Sequence, residues 1–200
     1  MAAAALKAAN GNKWHDRYPE LGTGPIPIEP YISRAYFEKE RDRIFRKVWL
    51  NVGRVEQIPH PGDYFVKDLA ICQTSILVVR GKDGVIRAFH NMCSHRGNQL
   101  VWDDKCTCQI FTCKFHGWAY ALDGSLRHIT DEQNFFGLKK EELGMTPVAV
   151  DTWEGFIFIN VDPEPEQTLS EYLGDELRAS IKGYPFAGIS TNCFSWHTDV

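Results

Sequence analysis

Two short stretches, Cys93-Ser94-His95-Arg96-Gly97 and Cys113-Lys114-Phe115-His116-Gly117-Trp118, decide how this chain is read. Seventeen residues lie between His95 and Cys113, so four metal-competent side chains arrive as two pairs, each of one thiol and one imidazole. A structural zinc finger usually groups like with like, two Cys on one turn and two His on a helix. Here every turn offers one of each. A site with two metals, one held by sulfur and one by nitrogen, would need that arrangement. Structural zinc and coincidence are the plainer alternatives, and neither accounts for mixed pairing followed by Gly97 in one loop and Gly117 in the other.

Around these stretches the chain is written in strands. From Trp49 to Val161, short β-branched and aromatic runs alternate with turn signals. Strands are expected near 49–54, 63–68, 71–80, 85–89, 108–113, 117–122, 125–128, 146–152 and 155–161. Turns fall at His60-Pro61-Gly62-Asp63, Gly81-Lys82-Asp83-Gly84 and Leu122-Asp123-Gly124-Ser125. Both Cys/His pairs then sit on loops at strand ends, where a rigid sheet can hold a site. Between Thr130 and Thr146 the pattern loosens, and Phe135, Phe136 and Leu138 are expected to cover one end of the sandwich.

The flanks differ. Residues 1–30 combine an Ala-rich start with Gly11, Pro19, Gly22, Gly24, Pro25, Pro27 and Pro30, which reads as an extended arm. Ser33 is a candidate N-cap for one amphipathic helix over 33–48, with Phe37, Ile44, Phe45 and Val48 on its apolar side. Pro163 and Pro165 mark a boundary, after which Leu169, Tyr172, Leu173, Leu177 and Ile181 share a helix face and 189–200 reads as a strand. One helix and one strand cannot bury a core, so 166–200 is read as the beginning of a further domain, and the chain as part of something longer.

Composition narrows the classes. Of 200 residues, 44% are hydrophobic and 24% charged, as in ordinary globular chains. The formal net charge is −4, and the 22 Lys and Arg form no long basic run, which argues against nucleic acid as a partner. No run reaches the roughly 18 apolar residues of a membrane span. Met1 to Lys7 lacks a basic region ahead of its apolar residues, so no signal peptide is read and a cytoplasmic location is the default. In a reducing compartment, six Cys with His nearby point to metal rather than disulfides. Cys106 and Cys108 read as reduced thiols on the rim between the two loops, and Cys72 and Cys193 as core residues. His90 reads as structural; His15, His60 and His128 receive no role.

The spacing CxH, seventeen residues, CxxH, then Gly-Trp resembles the Rieske iron-sulfur motif, in which two His replace two of the four Cys of a [2Fe-2S] centre. The resemblance implies Cys93 and Cys113 as ligands of an inner iron and His95 and His116 as ligands of an outer one. It implies a supporting shell of Arg96, Gly97, Gly117, Trp118 and Tyr120, with the two glycines letting backbone amides approach sulfur and Trp118 or Tyr120 walling off water. Respiratory members carry a further Cys in each loop, at positions matching Asn98 and Phe115, and a Ser at the position of Trp118. Those departures imply a low-potential centre.

Outside the motif, Pro30-Tyr31-Ile32-Ser33, Val48-Trp49 and Trp153-Glu154-Gly155-Phe156-Ile157-Phe158-Ile159-Asn160 resemble the α subunit of aromatic-ring-hydroxylating oxygenases. The implied fold is mainly β: a Rieske domain over 31–165, in which the helix 33–48 leads a Rieske-type antiparallel β-sandwich with cluster-binding loops, and the start of an α+β catalytic domain at 166–200. The implied function is electron delivery to a mononuclear ferrous iron held by two His and a carboxylate, where dioxygen is activated. The DxxHxxxxH stretch that supplies those ligands does not occur here, and His197 with Asp199 is not it. No catalytic residue is therefore expected within this chain, which alone should not hydroxylate. Implied partners are a ferredoxin or flavin reductase as donor, further copies in a trimer or hexamer, and an aromatic or other small-molecule substrate on the missing domain. A stand-alone Rieske-type ferredoxin is the alternative.

Overall fold

The computed structural model describes residues 18–22, 24–103 and 105–186, and the chain divides after Glu38 into two compact units. The first carries a helical turn at Pro19–Leu21 and then helix α1 (Glu29–Ile32). Pro30, read as a breaker, stands in the first turn of α1, where a missing N–H leaves nothing unsatisfied.

The expected unbroken helix over 33–48 is divided instead. Ser33 is extended (φ −80°, ψ 119°), and its Oγ accepts the Tyr36 N–H at 3.3 Å to start helix α2 (Arg34–Glu40). The chain then widens into a π turn at Arg41–Phe45, closed by the Arg46 N–H on the Arg41 carbonyl at 3.0 Å. Phe37 and Ile44, expected on the buried face, are exposed.

The second unit contains β1 (Leu50–Arg54), β2 (Asp63–Leu69), β3 (Thr74–Arg80), β4 (Ile86–His90), β5 (Lys105–Thr107), β6 (Phe111–Thr112), β7 (Ala119–Tyr120), β8 (Leu126–His128), β9 (Pro147–Trp153) and β10 (Phe156–Asn160). Among the described residues these form a seven-stranded sheet, ordered β1-β10-β9-β4-β3-β2-β5, and a three-stranded sheet, β6-β7-β8, with every pairing antiparallel. The strand expected at 71–80 begins only at Thr74. Ala70–Cys72 form a helical turn that Gln73 ends in a left-handed conformation (φ 55°).

The apolar run Ile76-Leu77-Val78-Val79 is buried throughout, because β3 has protein on both faces. Strand alternation sorts it. Leu77 and Val79 join Tyr64 and Phe89 in one core with Phe111, Trp118, Tyr120 and Leu126 of the small-sheet region. Ile76 and Val78 join Phe65, Ala88, Val52, Ile157 and Ile159 in another. Val52 of β1 and Phe65 of β2 share that second core although four strands lie between them in the sheet order, so the large sheet curls over on itself.

Two further expectations are corrected by packing. Phe135 and Leu138 do pack against the first core, but Phe136 is 97% exposed, since neighbours along an irregular segment point opposite ways. Helix α3 (Leu169–Ser180) buries only Leu169 of its predicted face and is interrupted at Gly174 (φ 67°). Its start is a capping box: Thr168 Oγ1 accepts the Glu171 N–H at 3.3 Å, and the Glu171 carboxylate accepts the Thr168 N–H at 2.9 Å. The strand expected at 189–200, with Cys193, lies outside the described residues. Among the described residues no helix is long and apolar enough to cross a membrane.

Candidate metal centre

The first Cys/His pair lies on the loop that leaves β4, the second on the turn between β6 and β7. The two loops close with the same backbone bonds. Cys93 N–H donates to the Asn98 carbonyl at 2.8 Å, and Cys113 N–H to the Trp118 carbonyl at 2.8 Å. Gly97 N–H returns to the Cys93 carbonyl at 2.9 Å, as Gly117 N–H does to Cys113 at 3.0 Å. Both glycines are left-handed, φ +70° and +72°, a conformation costly for any residue with a Cβ. The amides of the two glycines themselves serve carbonyls. The amides that reach sulfur are those of His95 on Cys93, and of Phe115 and His116 on Cys113.

Buried side chains hold the first loop. Asn91 clamps its two ends, donating to the Val101 carbonyl at 2.8 Å while its Oδ1 accepts the Val101 N–H at 2.9 Å. Ser94 Oγ donates to the Gly144 carbonyl at 2.5 Å. Tyr120, fully buried on β7, crosses from the second loop to the first. Its phenol oxygen accepts the Ser94 N–H at 3.1 Å and lies 3.1 Å from Cys93 Sγ. Burial, then the Cys93 sulfur, raises the phenol pKa; either the phenol or the Cys93 thiol can donate across this contact, and to a Cys93 thiolate the phenol would be the donor. Sequence reasoning missed Asn91, Ser94 and Asn98 as supports. Their polar side chains beside the motif were the available signal, but nothing local says where each one reaches.

The loops sort the four donors by depth. Cys93 and Cys113 are each 2% exposed and within hydrogen-bonding reach of one another, whereas His95 and His116 are only partly covered. Burial pushes the Cys93 thiol up. At Cys113 burial acts the same way but is outweighed by the Phe115 and His116 amides, Cys93 and the Asn98 amide, so that thiol is held low. The imidazole centroids are 4.6 Å apart, and His95 stacks on buried Trp118 at 4.7 Å with planes 10° apart. Burial, then His116 and Arg96, hold the His95 pKa below its ordinary value. Arg96 itself is exposed. The imidazoles open onto a hollow of about 590 Å³ that Phe115, Thr130, Asp131 and Phe135 also line.

The other nominated residues stay apart. Cys106 is exposed on β5 opposite Tyr64, and Cys108 packs partly against the first core, its thiol raised to about 11 chiefly by burial. Cys72 is buried as expected, though on a turn rather than a strand. His90 Nδ1 meets Thr74 Oγ1 at 2.9 Å, a structural contact.

Two buried sulfurs beside two neutral-capable imidazoles make a donor set suited to iron and sulfide. His95 Nδ1 is the clearest sign, being buried with no hydrogen-bond partner among the described residues, a state that costs free energy unless that nitrogen is used by a ligand. Among the described residues no three His, Cys, Asp or Glu side chains form a group that could hold one ion, as a tetrahedral zinc site would require.

Fold and loops together have the form of a β-sheet iron-sulfur domain. The match to the Rieske [2Fe-2S] domain extends over residues 48–152, more than half of the chain, and the chain belongs to that family. It is 36% identical over 138 residues to the carnitine monooxygenase oxygenase subunit of Escherichia coli (strain K12), spanning 69% of this chain and 36% of that one. It is 39% identical over 154 residues to the biphenyl 2,3-dioxygenase α subunit of Rhodococcus jostii (strain RHA1), spanning 76% and 33%. A solved quaternary ammonium Rieske monooxygenase has a similar fold, with TM-score 0.72, 32% identity, and 78% of this chain against 42% of that one. The chain therefore spans about a third of the length of these curated relatives.

Proposed function

We propose that Cys93 and Cys113 on one side, and His95 and His116 on the other, hold the [2Fe-2S] cluster, and that the chain is the electron-transfer portion of a Rieske non-haem iron oxygenase. The carrying observation is the matched pair of loops, which puts both sulfurs at the buried end and both imidazoles at the open end, with His95 Nδ1 left without a partner among the described residues. When bound, the cluster supplies a one-electron carrier. The protein's own residues do the rest. Tyr120 and the amides after each Cys donate to sulfur, which favours negative charge there. Trp118 fixes the plane of His95 and, with Tyr120, excludes water from the sulfur end. His95 and His116 present their edges to the hollow, which makes that face the exit for an electron.

The oxygenase relatives favour this reading over a stand-alone carrier. With it go a ferredoxin or flavin reductase as donor, a mononuclear iron in a following catalytic portion, a homo-oligomer, and an aromatic or other small organic substrate. The domain division at 31–165 and 166–200 belongs to the same proposal. The chain loaded with iron and sulfide should be brown and, once reduced, give a rhombic electron paramagnetic signal. Cys93→Ala and His116→Ala should each lose iron, acid-labile sulfide and the visible spectrum. A variant that keeps the full spectrum would refute its ligand assignment.

A further inference from the structure

Tyr120 is not alone in reaching across the loops. Asn98 closes the first loop through its carbonyl, and its side-chain Nδ2 points to the second, 3.7 Å from Cys113 Sγ. The same Nδ2 donates to the Gln99 carbonyl at 2.8 Å. An amide nitrogen carries two hydrogens, and both are thereby used. The Gln99 carbonyl also settles which end of the amide faces sulfur, since a flipped side chain would set Oδ1 against two acceptors.

The two side-chain donors are therefore crossed. Tyr120, just past the second loop, serves Cys93 of the first; Asn98, in the first, serves Cys113 of the second. Asn98 is partly covered, in a hollow with Trp102, Lys114 and Phe115. That hollow is open, but the acceptor, Cys113 Sγ, is buried, and a bond to it strengthens as negative charge grows on the sulfur. Reduction adds such charge to the sulfurs, so the bond favours the reduced state.

We infer that Asn98 is a positioning residue of the centre, its side-chain amide raising the reduction potential through Cys113 while tying the two loops together. The inference rests on the ligand assignment above. The test is the potential of the iron- and sulfide-loaded chain, followed spectroelectrochemically, for wild type, Asn98→Ser and Asn98→Leu, with Tyr120→Phe as reference. Ser keeps a polar group but is too short to reach Cys113 Sγ, and it decides the matter where Leu prevents loading.

Both Asn98 variants should move to a more negative potential. They should also lose part of the deuterium sensitivity of the Fe–S stretching bands in resonance Raman spectra. A purely structural role would lower the thermal midpoint and leave potential and bands in place, and that result overturns the inference. Loaded variants whose potential matches wild type, while Tyr120→Phe shifts, overturn Asn98 alone. A wild-type chain that holds no [2Fe-2S] cluster overturns this inference and the function proposed above together.

Discussion

Gly97 and Gly117 occupy equivalent bends, yet a methyl group would meet different surroundings at each. At Gly97 an added Cβ meets the Met92 side chain, Sδ at 3.6 Å and Cγ at 4.0 Å, both ordinary contacts. At Gly117 it would stand 2.5 Å from Thr130 Oγ1. Both substitutions carry the left-handed penalty of about 1–2 kcal/mol, and Gly117→Ala adds displacement of Thr130 beside the imidazole face. Gly97→Ala should thus lower stability by about 1 kcal/mol and keep its iron. Gly117→Ala should lose about 2 kcal/mol or more and load poorly. Denaturant midpoints with iron and sulfide analysis on both variants check the order, and equal effects would contradict it.

Among elements, the first loop depends on one buried amide. Asn91 answers both the N–H and the carbonyl of Val101, so the loop carrying Cys93 and His95 leaves and returns to the sheet at one point. Removing the side chain leaves two backbone groups without partners in a buried place, each worth about 1–3 kcal/mol. Asn91→Ala should therefore cost about 2 kcal/mol or more and speed cluster loss under chelator. Visible absorbance against time in excess chelator gives the rate, and an unchanged rate would show that the clamp is dispensable. The helices carry a different lesson. Apolar spacing over 33–48 was legible and Ser33 does start the helix, but the π turn at Arg41–Phe45 divides the segment, because a widened turn competes with continuous helix at little cost.

At the level of the whole molecule, the large sheet is one strand thick with a core on either face, and His90 ends β4 partly buried. Burial holds its pKa below the ordinary 6.5. The unfolded chain therefore takes up a proton near 6.5 that the folded chain resists. Stability tied to neutral His90 is fully present above 6.5 and falls as pH drops below it toward the depressed folded value. His90→Gln, which can still meet Thr74, removes this dependence. Its stability relative to wild type should improve between pH 7.5 and about 5.5 in denaturant unfolding, and parallel curves would exclude the effect.

By itself the sequence determined those features that depend on covalent spacing and side-chain chemistry. The four donors, their mixed pairing, the hairpin turns and most of the strands were readable because each involves residues a few positions apart. Tertiary structure alone decided the rest. The curl of the sheet joins Val52 to Phe65, and the crossed donors join Tyr120 to Cys93 and Asn98 to Cys113. Such contacts arise only when separate segments are packed together, and nothing in local spacing encodes which amide will find which sulfur.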